Sequence, residues 1–577
     1  IGAGVFAFQA ERRASDEAIR ATQEADRANA EAARATAEAA RANAEADRAT
    51  KNLTIARETV DSVVLDVAQG LRDVEGMRLE SVRTILTRVQ AAVDKLAEAA
   101  PDDISVQRTR AAMLTLFGDI YLRTGDTASA GSIYETALAL RRRLVGLDGG
   151  KGEQDRDLCV MLTRYGDFQL RAGKVKEALA LYAEALDVAR KIAARQPDGV
   201  DSQPDVWFTL VKVGDAKMAM ADTAGAVDAY REARDIARRL AAAADAPPER
   251  HRDLLMSLFA YGVSESRLGD EKQSRKTFDE ALTLARAILA KDTGNTQSRR
   301  DLVIALQKVG DSQLAAGKSD DALASFQEAL TVMAGVSASD PDNKDWQADL
   351  AIAHEKVGDA EEAKGDHAGA LKTYEAQLVI SRKLAEADHH NALWQRGLSI
   401  CLERIGDAKM NLGDKQGAVA VYDEELVISK RLADIDPDNR DWQRDLMVAT
   451  NKVANAKVQT ADFAGGKALF EEGLKIARRL YGIDPQNITT QTDLILCLTQ
   501  VAISENDDLA RKGALIDEAL AMMKKLSDAG QLPLPMNVMK GLLEKLKKEM
   551  EAPTPEPAHQ TPPEEQPATR TPTAPAQ

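Results

Sequence analysis

Apolar side chains lie at steps of four and three residues between positions 346 and 360, as they do along one face of an α-helix. The residues of this stripe are Trp346, Leu350, Ala353, Val357 and Ala360. The pair Gly365-Asp366 then separates this stripe from a second one, because glycine tolerates the left-handed conformation of a helix C-terminus and aspartate is a good N-cap. The pattern therefore predicts two amphipathic helices joined by a tight turn.

The same helix pair returns every 48 residues, since the dipeptide at Trp346-Gln347 recurs at Trp394-Gln395 and Trp442-Gln443. A Gly-Asp dipeptide in the first helix keeps the same period. It stands at 118–119, 166–167, 214–215, 310–311, 358–359 and 406–407, with Gly-Val at 262–263 and Ala-Asn at 454–455. A fixed period of this length indicates a repeat array, in which stacked units share a core that one unit cannot form alone. The chain is therefore predicted to be an all-α solenoid.

Small and aromatic residues recur at fixed offsets from these glycines. Gly310 is followed by alanine 12 residues later, by Phe326 at 16 and by alanine again at 19. This pattern resembles the signature of tetratricopeptide repeats (TPRs), which implies a right-handed superhelix of helix pairs. The period of 48 exceeds the usual 34, and Gln377, Glu425 and Gly473 replace the last alanine. The predicted packing residues are Gly118, Gly166, Gly214, Gly262, Gly310, Gly358, Gly406, Tyr134, Tyr182, Tyr230, Phe278, Phe326, Tyr374, Tyr422 and Phe470.

Composition divides the chain into six segments. The predicted segments are 1–10, the tail of a transmembrane helix; 11–50, an Ala/Arg heptad stalk; 51–103, a degenerate N-terminal capping repeat; 104–489, the 48-residue repeats; 490–550, a degenerate repeat and a capping helix; and 551–577, a disordered Pro-rich tail.

The two N-terminal segments each have two interpretations. The apolar run IGAGVFAF at 1–8 is too short to cross a bilayer, so it is either the end of a membrane helix that starts upstream or an apolar soluble terminus. Arg12-Arg13 would place the repeats in the cytoplasm, at the inner face of the membrane. The alanine seam of 11–50 buries little surface, so this helix is either a solvated spacer or a coiled coil that makes a homo-oligomer.

Charge and motifs exclude several functions. A net charge of −16 argues against nucleic acid as a partner, because phosphates require a basic face. Cys159, Cys401 and Cys497 are too widely spaced for a short metal motif and are predicted to be reduced core thiols. His389-His390 is interpreted as an exposed loop pair rather than a metal site. With no zinc-protease, phosphate-loop or serine-hydrolase motif present, we predict no enzyme activity, no cofactor and no metal.

Aspartates directly follow six of the signature glycines, and we call them the aspartate row. They are Asp119, Asp167, Asp215, Asp311, Asp359 and Asp407. The resemblance to TPR proteins implies that this position faces the inner groove and that the row binds a partner. The alternative is an ion pair within one helix, because a cation stands three residues before five of them. These cations are Arg164, Lys212, Lys308, Lys356 and Arg404.

The sequences at 65–77 (LDVAQGLRDVEGM) and 100–103 (APDD), with the recurring KVGD, resemble long-repeat TPR arrays of bacterial signalling proteins. In that group the array often follows a membrane helix and a caspase-like or TIR effector domain. The predicted membrane tail at 1–10 and the stalk agree with this, but no effector domain lies within these residues. The resemblance implies a non-enzymatic scaffold or sensor module that binds protein or peptide partners. The alternative is a structural or oligomerisation module of a membrane-anchored complex.

Overall fold

The computed structural model describes residues 2–73, 79–123, 126–147, 152–195, 203–389 and 391–551. The chain forms two compact units, Ile1–Leu284 and Ala285–Gln577. The first unit contains α1 (Gly2–Asp73), α2 (Leu79–Ala99), α3 (Ile104–Arg123), α4 (Thr127–Leu147), α5 (Asp155–Arg171), α6 (Val175–Arg195), α7 (Gln203–Ala219), α8 (Thr223–Ala241) and α9 (Pro248–Leu268). Helix α10 (Glu271–Lys291) crosses the boundary.

The second unit contains the helices that follow α10. They are α11 (Thr296–Ala315), α12 (Ser319–Ser339), α13 (Lys344–Ala363), α14 (His367–Ala387), α15 (Ala392–Asn411), α16 (Lys415–Ile435), α17 (Arg440–Gln459), α18 (Phe463–Ile483), α19 (Ile488–Ser504), α20 (Leu509–Asp528) and α21 (Leu534–Glu551). Over the ranges described, every regular element is a helix.

Successive helices pack as pairs, and each pair packs on the next one within its unit. Thus α3 packs on α4, α4 on α5, and α5 on α6, while α13 through α18 repeat the same order in the second unit. Buried side chains from α2 to α8, between Leu86 and Leu240, form one apolar core in the first unit. This arrangement confirms the predicted all-α, TPR-like array of helix pairs.

The turns inside the pairs have the predicted chemistry. Gly365 ends α13 with φ 79°, and Asp366 accepts a hydrogen bond from the backbone N–H of Gly369 at 2.9 Å, as an N-cap does. Asparagines perform the same task before the first helix of several pairs. They are Asn295, Asn343, Asn391, Asn439 and Asn487. Ala221 and Ala461 occupy the left-handed position in two pairs, with φ 61° and 69°.

An aromatic ring of each second helix lies against the signature glycine of the first. At Gly118, a Cβ atom would lie 2.5 Å from Cε1 of Tyr134, which is closer than real contacts allow. The glycine and its ring pair as Gly118–Tyr134, Gly166–Tyr182, Gly214–Tyr230, Gly262–Phe278, Gly310–Phe326, Gly358–Tyr374 and Gly406–Tyr422. Phe470 is also buried, in the pair where Ala454 stands in the glycine position. In the seven glycine-containing pairs the ring occupies the space that a side chain would need, so a Cβ atom there would require the ring to shift.

The two ends of the chain concern the predicted membrane helix, the predicted stalk and the predicted disordered tail. Helix α1 runs through the predicted boundaries at 10/11 and 50/51, and its side chains between residues 12 and 45 are exposed. Among the described helices, none has an apolar stretch long enough to cross a membrane. The expected disordered tail, 551–577, lies outside the described residues except for Glu551, the last residue of α21. The membrane and stalk assignments stay predictions.

Candidate ligand-binding groove

Five of the six members of the aspartate row are held by tyrosine hydroxyls of the same helix pair. Tyr134 donates its hydroxyl hydrogen bond to Asp119 at 2.6 Å, and four other pairs repeat this contact. The repeated contacts are Tyr182–Asp167, Tyr230–Asp215, Tyr374–Asp359 and Tyr422–Asp407, at 2.6 to 2.8 Å. Burial and the hydrogen bond to the carboxylate together raise the pKa of Tyr134. These five aspartates are therefore fixed in orientation at the surface of their first helices, whereas Asp311 has no such contact because Phe326 replaces the tyrosine.

The same carboxylates pair with cations of the next helix pair, 45 residues later. Lys212 Nζ lies 2.8 Å from Asp167 Oδ1, and Lys356 Nζ lies 2.8 Å from Asp311 Oδ1. The others are Arg164–Asp119, Arg404–Asp359 at 3.2 Å and Lys452–Asp407 at 2.6 Å. The expectation of ion pairs within one helix was wrong: among the described residues, none of the five cations pairs with the aspartate three positions later. In four of these pairs a tyrosine holds the carboxylate where a long cationic side chain of the neighbouring first helix reaches it, and Lys356 reaches Asp311 without one.

Two further sets of ion pairs link neighbouring helix pairs, and sequence reasoning missed both. One joins the first helices at a separation of 49 residues. Its members are Arg108–Asp157, Arg156–Asp205, Arg300–Asp349, Arg396–Asp445 and Arg444–Asp493, at 2.5 to 2.9 Å. The other joins the second helices at a separation of 42. Its members are Arg142–Glu184, Arg190–Glu232, Arg238–Glu280, Arg286–Glu328 and Arg382–Glu424, at 2.5 to 2.8 Å. Both sets could have been found in the sequence, because the arginine and its acidic partner each recur every 48 residues.

A pocket of ≈ 640 Å³ opens on the face of α3, α5 and α7, which we call the groove pocket. Its walls include Leu116, Asp119, Val160, Arg164, Asp167 and Phe208. A second pocket of ≈ 450 Å³ lies between α13 and α15, and Asp359 and Asp407 line it. Four members of the aspartate row thus line a pocket, whereas Asp215 and Asp311 line neither of these two.

The groove pocket exposes apolar surface between charges that are already paired. Val160 is 47% exposed and Phe208 is 43% exposed, although both are large apolar residues on helices that have a buried face. Lys212 Nζ lies 5.4 Å from the centroid of the Phe208 ring, a cation–π distance, while also pairing with Asp167. Arg171 lines the pocket, and no described carboxylate forms an ion pair with it. The pocket therefore offers apolar contact and one available positive charge.

The apolar side chains of the groove pocket belong to a column that sequence reasoning also missed. Six residues before the signature glycine, each first helix from α5 to α17 carries an apolar residue at or near the surface. The column consists of Val160, Phe208, Met256, Ile304, Ile352, Ile400 and Val448. This position precedes the aspartate row by seven residues, or two helical turns, so both lie on the same face of the helix.

The thiol of Cys159 and the hydroxyl of Thr163 in the groove pocket are not activated for chemistry. Burial raises the pKa of the Cys159 thiol to about 12, so the thiolate is absent at neutral pH. The Thr163 hydroxyl donates to the backbone carbonyl oxygens of Cys159 and Val160 at 3.1 and 2.8 Å. All three cysteines, including Cys401 and Cys497, are buried, which confirms that they belong to the core. The exposed apolar side chains of the groove pocket are therefore suited to binding a ligand by contact.

The pairs that depart from the alanine signature place polar groups in the core. Gln377 donates to Glu355 Oε2 at 3.3 Å, across the interface between α14 and α13. Glu425 is 3% exposed, and its Oε2 has no hydrogen-bond partner in the described structure. Burial, reinforced by the nearby Glu403 carboxylate, raises the pKa of Glu425 to about 9. At Gly473, a Cβ would lie 2.5 Å from Asn451 Oδ1. Each replacement therefore accompanies a polar residue on the facing first helix.

Comparison with known proteins agrees with this architecture. Residues 111–143, which lie within α3 and α4, match the tetratricopeptide repeat family. Together with the helix pairs, this match defines an all-α protein built from TPR-type repeats. No curated protein sequence matches the chain.

Several solved structures are similar to this chain at low identity. The apo form of RapI is 10% identical, covering 68% of this chain and 97% of its own, with a TM-score of 0.42. A signal transduction ATPase with a tetratricopeptide repeat sensor from Pyrococcus horikoshii is 12% identical, covering 73% and 55%, with a TM-score of 0.40. A Rap protein complexed with competence and sporulation factor is 12% identical, covering 74% and 99%, with a TM-score of 0.37.

Proposed function

We propose that the chain is a protein-interaction module and that its groove pocket binds a peptide segment of a partner protein. The observation that carries this proposal is the exposure of Val160 and Phe208 inside a concave site of ≈ 640 Å³. Exposed apolar side chains in a concavity with a polar rim are typical of binding sites. Elsewhere on these helices the apolar stripe is buried in the core.

The surroundings of the pocket favour binding by apolar contact. The carboxylates of Asp119 and Asp167 already have tyrosine and cationic partners, so a ligand does not leave them unpaired. Fully burying an apolar side chain such as Phe208 contributes roughly 1.5–3 kcal/mol. Arg171 adds a charged contact for a carboxylate of the ligand. A peptide that fills the space between α5 and α7 would use these contacts together.

We infer a non-enzymatic role from the same residues, because the pocket holds its thiol and hydroxyl groups in unreactive states. The aspartate row as a whole is proposed to have two uses. It links neighbouring helix pairs, and Asp119, Asp167, Asp359 and Asp407 also face pockets in which a partner would lie. That the module serves a bacterial signalling protein at the inner face of a membrane is a proposal resting on the sequence resemblance alone.

Selection from a random peptide library displayed on phage, with the full chain as target, tests the proposed function. We expect the enriched peptides to lose about tenfold in affinity when Val160→Ala and Phe208→Ala are combined. A tenfold loss corresponds to about 1.4 kcal/mol, and fully burying one such side chain contributes roughly 1.5–3 kcal/mol. The matched control is Leu147→Ala, which removes a side chain that is 44% exposed at the end of α4. Enriched peptides that bind the groove variant and the control equally well would contradict the proposal.

A further inference from the structure

The row of ion pairs between aspartates and cations is interrupted at α9. Five members of the aspartate row pair with a lysine or arginine 45 residues later, on the next first helix. For Asp215 that position is Ala260, and the aspartate expected on α9 itself is replaced by Val263. At the position where Asp119 and Asp167 each find a cation, Asp215 therefore meets an alanine.

The carboxylate of Asp215 has a hydrogen bond but no ion pair. Tyr230 donates its hydroxyl to Asp215 Oδ1 at 2.6 Å. Lys212, three residues earlier on α7, directs its ammonium group to Asp167 at 2.8 Å. In the described structure, no lysine or arginine nitrogen lies within 4.0 Å of Asp215. Arg267, at the end of α9, acts on the Tyr230 hydroxyl electrostatically without forming that pair.

The surroundings of Asp215 are low in polarity for a carboxylate at the surface of a helix. Burial raises its pKa, although the Tyr230 hydroxyl and the Lys212 ammonium group act in the opposite direction. Ala260 packs against the cluster that contains Tyr230 and Tyr261. A carboxylate in such a place gains more from a cation than one in water does, because the local dielectric is lower.

The adjacent helix provides room for a cation and its aliphatic chain. In register with Phe208, Lys212 and Asp215 of α7, helix α9 carries Met256, Ala260 and Val263, all partly exposed. Two apolar side chains and one methyl group thus replace an aromatic ring and two charged groups. Lysine and arginine pack their methylene groups along apolar surface while the charged end reaches a polar partner.

We propose that a lysine or arginine side chain of the bound peptide occupies this place and pairs with Asp215, as Lys212 pairs with Asp167 in the preceding helix pair. The inference rests on the proposed function of the groove pocket and names its ligand more narrowly. The ligand is a peptide that combines an apolar residue, which contacts Val160 and Phe208, with a basic residue for Asp215.

The spacing of these two contacts follows from the helix. Phe208 and Asp215 are seven residues apart on α7 and lie on one face, about 10 Å from each other at 1.5 Å per residue. About three residues of an extended peptide span this distance at 3.3 Å per residue. We therefore expect a basic residue about three positions from the apolar residue in peptides that bind the groove pocket.

A double-mutant cycle on an enriched peptide tests the ion pair. Asp215→Asn keeps an acceptor for the Tyr230 hydroxyl and removes the charge, and the basic residue of the peptide is changed to glutamine. We expect each change to weaken binding about tenfold, and the two together to weaken it no further. The matched control is Asp167→Asn, whose charge is already paired with Lys212 and which should show no coupling to the peptide.

The outcomes separate the two proposals. If peptides depend on Phe208 but show no coupling to Asp215, the proposed function stands and the basic ligand is wrong. If no enriched peptide depends on Phe208, the proposed function fails and this inference fails with it.

The melting temperatures of two Ala260 variants, measured without peptide, test whether Asp215 can accept a cation at this position. Ala260→Lys supplies the cation from the chain itself, and Ala260→Gln adds length without charge. We expect the lysine variant to melt at a higher temperature than the glutamine variant in low salt, with the difference reduced in high salt. We also expect the lysine variant to lose peptide binding. Equal melting temperatures for the two variants at low salt would show that Asp215 has no place for a cation.

Discussion

Replacing Glu425 by glutamine should stabilise the protein at neutral pH. This residue lies in the core between α16 and its neighbours with 3% of its surface exposed, at a position where five other helix pairs carry a buried alanine. Those alanines are Ala137, Ala185, Ala233, Ala281 and Ala329. Its Oε2 has no hydrogen-bond partner in the described structure, and the nearby Glu403 adds like charge. The ionised form is therefore strongly disfavoured in the folded state.

The magnitude follows from proton linkage. The folded state raises the pKa of Glu425 from its ordinary 4.5 to about 9. Between these two values the folded chain holds a proton that the unfolded chain releases, so stability is greatest below pH 4.5 and falls as pH rises towards 9. Between the unfolded-state pKa of 4.5 and pH 7 lie 2.5 pH units. At 1.36 kcal/mol per unit, the free energy of unfolding is therefore lower at pH 7 than below pH 4.5 by about 3 kcal/mol. Glutamine has a similar shape and no proton to lose, so it should not suffer this decline.

Urea unfolding at pH 5 and pH 8, followed by circular dichroism, measures the effect. The Glu425→Gln variant should lose less stability than the wild type between the two pH values. Glu424→Gln is the matched control, because that neighbouring side chain is 40% exposed and pairs with Arg382 at 2.8 Å. An equal decline in the wild type and the Glu425→Gln variant, or an equal benefit from Glu424→Gln, would refute the reasoning.

Three further predictions concern packing and turns, each measured as a change in the free energy of unfolding. Gly310→Ala should cost about 1–3 kcal/mol, because its methyl group would lie 2.6 Å from Cζ of Phe326. The control is Gly335→Ala, which has no atom within 4 Å of the added methyl group and should stabilise by up to about 1 kcal/mol. Ala461→Gly should stabilise by about 1 kcal/mol by relieving φ 69°, and no gain would contradict this. Tyr374→Phe should cost about 1 kcal/mol through its lost hydrogen bond, and Phe326→Tyr should gain a similar amount.

The helix pairs could be predicted because their evidence is local and repeated. A stripe such as Trp346, Leu350 and Val357 defines one helix, and the 48-residue period tests the same inference many times. The glycine and aspartate at 365–366 mark a turn through the conformational demands of the residues themselves. These signals depend only on neighbours in sequence, so the fold class followed from them.

The partners of the charged residues could not be predicted in the same way. Lys212 stands three residues before Asp215, which suggests a pair within the helix, yet its ammonium group pairs with Asp167 on the preceding first helix. The sequence of one helix does not state how closely the next first helix lies or which way a tyrosine turns the carboxylate. Once the helices are placed, the separation of 45 residues holds for five of the six members of the aspartate row, and Asp215 is the exception.

A residue that departs from the repeat affects either stability or ligand binding, and its solvent exposure indicates which of the two it affects. Glu425 departs from alanine inside the core, where no ligand reaches it, so its effect is on stability and its dependence on pH. Ala260 departs from lysine on the groove face, where it leaves Asp215 without the cation that the other pairs supply. A position that repeats supports every unit alike, so it cannot distinguish one ligand from another along the array. Specificity must then come from exposed departures, which is why Asp215 carries the proposal for the ligand and Glu425 does not.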